Sequence, residues 1–508
     1  MFDENKAGYL DTTITTFGAA VTVPQRQEEA FILSNKMMSI NGYSFANVPG
    51  LDMCSGDNVV WHIMTIGHSA DDVSAHFQGQ TFADNGRNSD TVGLVSGSTK
   101  SVQMVPDMPG IWALLSLVNE QNIMGMTAKY TVRLCPGQPF TPVANIYTNI
   151  QLPPFNAPVR RFAVAATEVN WDYATVQSDF VSGIGLNDPR ADGNIYIKHD
   201  NNFIGTVYKK AVFKAYTDTS FSTPVTRGFD ASHLGILGPV IQAEVGDFIE
   251  ILFHNDASRP YSMYAHGLMT NKSNEGYFYS DGRPITGQHS VQPGQTVIYR
   301  WYVAARSGPG KGDPNCIPHL YYSAVDRTRD VASGLVGPME ICRKGTLDQN
   351  NRRRDVSREF HLLFKMFNEN LSWYLDDNIQ QHAKGRLGTE FDIDALFEES
   401  NKKFSINGEL YGNLKGLLML QNETVVWYLY ALGAKTGLNT VHFNGNTVVR
   451  QSQMNRRTDT VEVYPGMSEA VTMFAENPGS WMVNSDVDVH FTSGMMAPYK
   501  VFPLRQQV

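Results

Sequence analysis

An all-β fold of three tandem β-sandwich units is what this sequence predicts. Two observations carry the expectation: a long internal repeat, and short β-branched and aromatic runs cut by turn residues. Ser34-Asn35-Lys36 and Ile40-Asn41-Gly42 recur as Ser400-Asn401-Lys402 and Ile406-Asn407-Gly408. Val59-Val60-Trp61 recurs as Val425-Val426-Trp427 and His76-Phe77 as His442-Phe443, a shift of 366 that becomes 369 by Trp112 and Trp481. The opening repeats too, Phe2-Asp3-Glu4-Asn5 answering to Phe367-Asn368-Glu369-Asn370. Residues 1–140 and 355–508 are therefore read as two copies of one domain, with a different but related unit over 155–343. The Pro-rich stretch from Pro136 to Pro158 and the basic run Arg352-Arg353-Arg354 mark the joins.

The strands follow from local pattern. Ile249–Phe253, Thr296–Trp301 and Thr460–Tyr464 are β-branched and aromatic, and Gly, Pro, Asn and Asp turns bound such runs in all three units. The acidic stretch from Asp392 to Glu399 is the one expected helix, short and placed before a strand. Residues Phe360 to Met366 read as a first strand of the last unit; the first unit has no counterpart, because Met1 stands where Met366 does. Its first strand is expected to be missing, as in a fragment of a longer chain.

Composition excludes some functions. With 42% hydrophobic and 18% charged residues the 508-residue chain is globular, and 43 Gly with 24 Pro suit a loop-rich β protein. A net charge of −9 argues against nucleic-acid binding. No apolar run is long enough to span a bilayer as a helix, and Met1-Phe2-Asp3-Glu4-Asn5 opens without a charged-then-apolar leader. Nucleophile-elbow, phosphate-loop and zinc-protease motifs are absent.

Four cysteines occur: Cys54 and Cys135 bracket the first unit, and Cys316 and Cys342 close the middle one. In the last unit the places of Cys54 and Cys135 hold Leu420 and Leu504. Joint replacement by apolar residues points to a bonded pair, and two intradomain disulfides imply an oxidising compartment; buried free thiols are the alternative. Asn271, Asn370 and Asn422 each open an Asn-x-Ser/Thr triplet, a glycosylation acceptor in a secreted protein.

One segment is more specific. Pro109-Gly110-Ile111-Trp112 leads to Gly125-Met126, and Pro478-Gly479-Ser480-Trp481 leads to Gly494-Met495. Both resemble the ligand loop of a ceruloplasmin- and hephaestin-type multicopper oxidase domain, with serine (Ser116, Ser485) at the copper cysteine's place. The middle unit, with Leu234-Gly235-Ile236-Leu237-Gly238-Pro239 and Ala332-Ser333-Gly334-Leu335-Val336-Gly337-Pro338, resembles an odd-numbered domain of that family, which includes coagulation factors V and VIII. The outer units resemble even-numbered domains. The resemblance covers essentially the whole chain and implies three cupredoxin-like Greek-key β-sandwiches.

The resemblance also implies where metals would sit. A blue-copper site needs two imidazoles, a thiolate and a weak axial thioether. In the first unit those places read Val73, Ser116, Gln121 and Met126; in the last, Asn439, Ser485, His490 and Met495. The His-x-His pairs of the family's trinuclear cluster read His76-Phe77-Gln78, Leu115-Ser116-Leu117, Tyr264-Ala265-His266, Tyr322-Ser323-Ala324, His442-Phe443-Asn444 and Asn484-Ser485-Asp486, every pair broken. Of the family's iron site Glu399 remains, with Phe404 at the histidine's place; the first unit has Leu33 and Met38. His442, His490 and Met495, with Asp486, are the candidate remnant metal site, against structural histidines as the alternative. The loop from Gly308 to Asp313 resembles a family calcium loop, but one carboxylate falls short of the six or more oxygens calcium takes; an ordinary Gly-rich loop is the competing reading.

Two functions follow. One is a secreted, non-enzymatic scaffold, carrier or interaction module without stoichiometric copper. The other is one part of a longer copper-dependent ferroxidase whose metals lie outside this chain. Either implies protein partners or further domains. An additional upstream domain is favoured over a homodimer, since pairing two even–odd–even halves would set even units side by side.

Overall fold

The computed structural model describes residues 1–17, 22, 25–66, 72–135, 157–279, 287–386, 395–433, 437–451 and 455–504. Its last unit shows the complete plan. Arg358–Asn368 carries Phe360, Leu362, Leu363 and Phe364 almost consecutively, the pattern of a strand covered on both faces. It runs parallel to Thr424–Ala431 and antiparallel to Lys402–Ile406 inside a six-stranded sheet. A five-stranded sheet, Leu418–Leu420, Met496–Phe502, Gly479–Ser485, Asn439–Phe443 and Thr460–Val463, belongs to the same unit. Trp427 is fully buried, its ring 4.8 Å from Phe360, 5.2 Å from Phe443 and 5.6 Å from Tyr499.

The middle unit repeats the arrangement. Val159–Asp172 lies between Phe248–Asn255, parallel, and Val207–Tyr216, antiparallel. Its second sheet orders Ile241–Glu244, Val336–Cys342, Cys316–Tyr322 and Tyr264–Ala265. Cys316 and Cys342 are cross-strand partners and are disulfide-bonded. In the first unit Cys54 and Cys135 are bonded, tying Asp52–Cys54 to the end of its parallel partner Thr127–Arg133. With sequence separations of 81 and 26 between the bonded cysteines, loop closure makes such links worth about 3–5 kcal/mol each.

The first unit departs from the plan at one edge. Phe2–Asp3 pairs with Lys36–Met37, as Phe367 and Asn368 pair with Lys403 and Lys402. Among the described residues, no further strand lies along Val59–Met64 on that side. Val59–Met64 therefore pairs on one side only, with Thr99–Met104, at the edge of a four-stranded sheet. Its residues alternate half-buried and exposed, where Val425 to Ala431 are all buried.

The units are not packed alike. One continuous core joins the middle and last units, from Tyr173 and Leu234 to Trp427 and Tyr499. The first unit has its own smaller core, to which the middle unit adds Met269 and Ala304. Arg87 of the first unit ties all three together: its Nε donates to Asp313 Oδ1 at 3.1 Å, and Nη1 and Nη2 to the two oxygens of Glu469 at 3.0 and 2.7 Å. The basic run that marks the second join is partly interior, since Arg353 is buried against Asp355 and the Tyr428 hydroxyl. A helix does precede the last unit's strand, at Ala395–Ser400; Asp392 and most of the Pro136–Pro158 join lie outside the described residues.

Candidate metal centres

The two ligand-loop copies are built alike. Each strand, Gly110–Leu115 or Gly479–Ser485, carries a tryptophan whose Nε1 donates 2.9 Å to a carbonyl four residues earlier, Met108 or Asn477. Gly79 and Gly445, both at positive φ, let these indoles lie on the backbone: a Cβ there would come within 2.3 and 2.2 Å of the ring. A short helix, Asn119–Ile123 or Asp488–Thr492, then returns the chain to a buried methionine, Met126 or Met495.

What the loops hold differs from a copper centre. Ser116 Oγ donates to Gln121 Oε1 at 2.8 Å, and Gln121 Nε2 donates to the Asp72 carbonyl at 2.7 Å. In the last unit Ser485 Oγ and His490 Nδ1 are hydrogen-bonded at 3.2 Å. Buried Asn439 gives its Nδ2 to the Gly437 carbonyl. Neutral hydroxyls and amides stand where a thiolate and an imidazole would be needed, so neither donor set fits a blue copper.

The remnant set is divided. Val441 pairs with Ser485 across the sheet and His442 with Asn484. Since successive strand residues point to opposite faces, His442 lies on one face and Ser485, bonded to His490, on the other. His442 Nδ1 meets Asp486 at 3.1 Å on the solvent side, while His490 is buried inside the loop. His442, His490 and Met495 thus do not converge on one ion. Glu399 is likewise engaged, accepting from the Tyr196 hydroxyl at 2.9 Å and pairing with Lys402 at 3.0 Å.

The calcium reading meets a chemical obstacle. The Asp313 carboxylate accepts from Arg87 Nε and from the Asn88 and Gly310 amides at 2.8 and 2.9 Å. Its oxygens are committed to donors, and the loop serves as a clasp between the first and middle units.

A different cluster forms where those two units meet. His76 and His266, which belong to separate broken pairs, bring their rings to a centroid distance of 4.4 Å. Asp90 faces both, its Oδ1 3.6 Å from His76 Nδ1 and its Oδ2 3.1 Å from His266 Nδ1. The far nitrogens meet tyrosine hydroxyls, His76 Nε2 at Tyr264 (2.9 Å) and His266 Nε2 at Tyr322 (3.0 Å). Burial raises the Asp90 pKa, and the adjacent His266 and His76 more than reverse that, holding it well below the usual carboxylate range. Burial, reinforced by His76, pushes the His266 pKa down against the pull of Asp90.

Comparison with known proteins identifies the family. The multicopper oxidase family pattern matches residues 231–345 and 382–504. Mouse hephaestin is 38% identical over 501 residues, taking in 99% of this chain and 41% of hephaestin. Human ceruloplasmin is 37% identical over 501 residues (99% of the chain, 44% of ceruloplasmin), and a mouse protein named ferroxidase HEPHL1 is 37% identical over 502 (99% and 42%). The chain belongs to the ceruloplasmin/hephaestin-like family. Its mostly-β architecture of several sheets fits β-sandwich domains, and it spans less than half the length of these relatives.

Pairwise motif reading against the family missed the His76–Asp90–His266 cluster, because its residues come from two units and Asp90 belongs to none of the family's pairs. A signal was present: Asn88-Ser89-Asp90-Thr91-Val92 is repeated as Arg457-Thr458-Asp459-Thr460-Val461. The triplet asparagines differ in availability. Asn422 is exposed on a turn, Asn271 Oδ1 caps the Lys272–Asn274 turn, and Asn370 Nδ2 donates to Asn368 Oδ1 and the Glu398 carbonyl, leaving it poorly placed for a glycan. Among the described residues no helix is long and apolar enough to cross a membrane.

Proposed function

We propose that this chain is a non-catalytic structural and interaction module of an extracellular, ceruloplasmin/hephaestin-like protein. The observation that carries this reading is the replacement of copper chemistry by neutral hydrogen bonds, Ser116 to Gln121 and Ser485 to His490, inside loops whose scaffold is otherwise kept. The two disulfides support an oxidising location. The competing reading makes the chain one part of a longer ferroxidase whose copper lies elsewhere; its support is that the chain spans 41–44% of the relatives above.

Copper analysis and iron(II) oxidation by the purified chain test the proposal. The expected outcome is neither stoichiometric copper nor intense blue absorption, and no oxidation above buffer; stoichiometric copper with a blue band would overturn it. A gain of function sharpens the same test. Asn439→His with Ser485→Cys, beside the existing His490 and Met495, completes a two-imidazole, thiolate and thioether set, and copper loading should then produce the blue band. Activity found only in a longer natural protein would favour the competing reading.

A further inference from the structure

We propose that His76, Asp90 and His266 form a mononuclear binding site for a divalent transition-metal ion, sealed between the first and middle units. Two imidazoles and one carboxylate are a ligand set for a borderline ion such as zinc. All three side chains are buried, and their ligand atoms lie within 4.8 Å of one another. Around an ion with bonds of about 2.1 Å, tetrahedral ligands stand about 3.4 Å apart. Measured to one oxygen, Asp90 Oδ1, the Nδ1 atoms of His76 and His266 stand at 3.6 and 3.3 Å, which bracket that value.

The surroundings are those a metal ligand needs. Each imidazole turns Nδ1 toward the carboxylate and Nε2 toward a buried tyrosine hydroxyl, Tyr264 or Tyr322. Such outer partners orient a ligating ring and hold its remaining proton on the far nitrogen. A cavity of about 50 Å³, lined in part by Asp90, Thr91, His266 and His319, reaches the cluster. It has room for water beside Asp90 and His266, one water needing about 10–15 Å³.

A metal-free hydrogen-bond network accounts for most of these contacts. His76 Nδ1 meets Thr91 Oγ1 at 3.0 Å, Thr91 donates to Asp90 Oδ1 at 2.8 Å, and His266 Nδ1 meets the same oxygen at 3.3 Å. It leaves out Asp90 Oδ2, a buried oxygen with no hydrogen-bond donor although His266 Nδ1 is only 3.1 Å away. The separation is short enough for two ligands of one ion, while the hydrogen bond of the ring is made with the other oxygen. The last unit holds an internal control: His442 and Asp459 repeat His76 and Asp90, 3.9 Å apart and open to solvent, with no counterpart of His266 described beside them.

Titration of chelator-treated, purified chain with Zn²⁺ by calorimetry, and with Co²⁺ by visible absorption, tests the assignment. One equivalent should bind, with Co²⁺ bands of a low-coordinate nitrogen and oxygen site. His266→Gln should weaken binding at least tenfold, while His442→Gln should leave affinity and stoichiometry unchanged. Tyr322→Phe removes only an outer partner and should cost roughly 10-fold or more in affinity; it decides the matter if the metal-free melting curve shows that His266→Gln does not fold. Absence of saturable uptake, or uptake unchanged by both His266→Gln and Tyr322→Phe, overturns the site.

Discussion

The first and last units are copies in sequence and opposites in environment at two places. Val60 is 49% exposed and its repeat, Val426, 3%. Arg358–Asn368 covers the edge of Thr424–Ala431, whereas among the described residues Val59–Met64 has a strand partner on one side only. At the other end the contrast reverses. His76 and Asp90 are buried because the middle unit closes over them and adds His266, whereas His442 and Asp459 face solvent. A repeated residue therefore keeps its strand and its pairing, while its burial and chemistry depend on what is packed against the unit.

The tryptophans give the largest expected contrast. Among the described residues Trp61 has two of the three ring neighbours of Trp427: Phe77 and Tyr130 at 4.9 and 6.1 Å repeat Phe443 and Tyr499, with no ring in the place of Phe360. Trp427→Ala should cost about 3–5 kcal/mol, the range for deleting a fully buried large aromatic. Trp61→Ala, at a half-buried position able to relax, should cost about 1–2 kcal/mol. Chemical denaturation of the two variants checks this; equal losses would mean that the open edge is covered in the protein studied.

The shared core of the middle and last units carries a second, pH-dependent difference. Burial, with Glu340 adding, pushes the Glu359 carboxyl up to about 9, and the Tyr428 hydroxyl lies 2.9 Å from both acids. The folded chain then holds a proton that the unfolded chain has lost above its ordinary value of 4.5. Stability from this group is fully present below that value and declines as pH rises toward about 9. Glu359→Gln should flatten the decline in denaturation midpoints measured between these limits. Identical slopes for the two proteins would remove Glu359 as the cause.

Much of the architecture was legible in the sequence because it is local or repeated. Ile249–Phe253, Thr296–Trp301 and Thr460–Val463 are strands, and the cysteines lost together from the last unit are bonded in the first. The junctions were not legible. Arg87, Asp313 and Glu469 meet from three units, and His76 meets His266 across 190 positions, so no spacing along the chain announces either contact. The proposed grouping of His442 with His490 failed for a simpler reason: strand alternation sends His442 and Ser485, which holds His490, to opposite faces.

The smallest expected effect lies on the open edge itself. Among the described residues Val59–Met64 is an edge strand that presents Val60 and Met64 to solvent, and such an edge recruits other strands unless a charge interrupts it. Val60→Lys should change stability by no more than about 0.5 kcal/mol, as exposed substitutions do. Val426→Lys, placing the same ammonium inside the shared core, should cost several-fold more, since a buried unpaired charge is among the severest changes. Light scattering adds a readout that stability does not: Val60→Lys should reduce self-association of the purified chain if the edge is free. An unchanged scattering profile together with a large loss of stability would show that Val60 is already covered, and that the first and last units are closed alike.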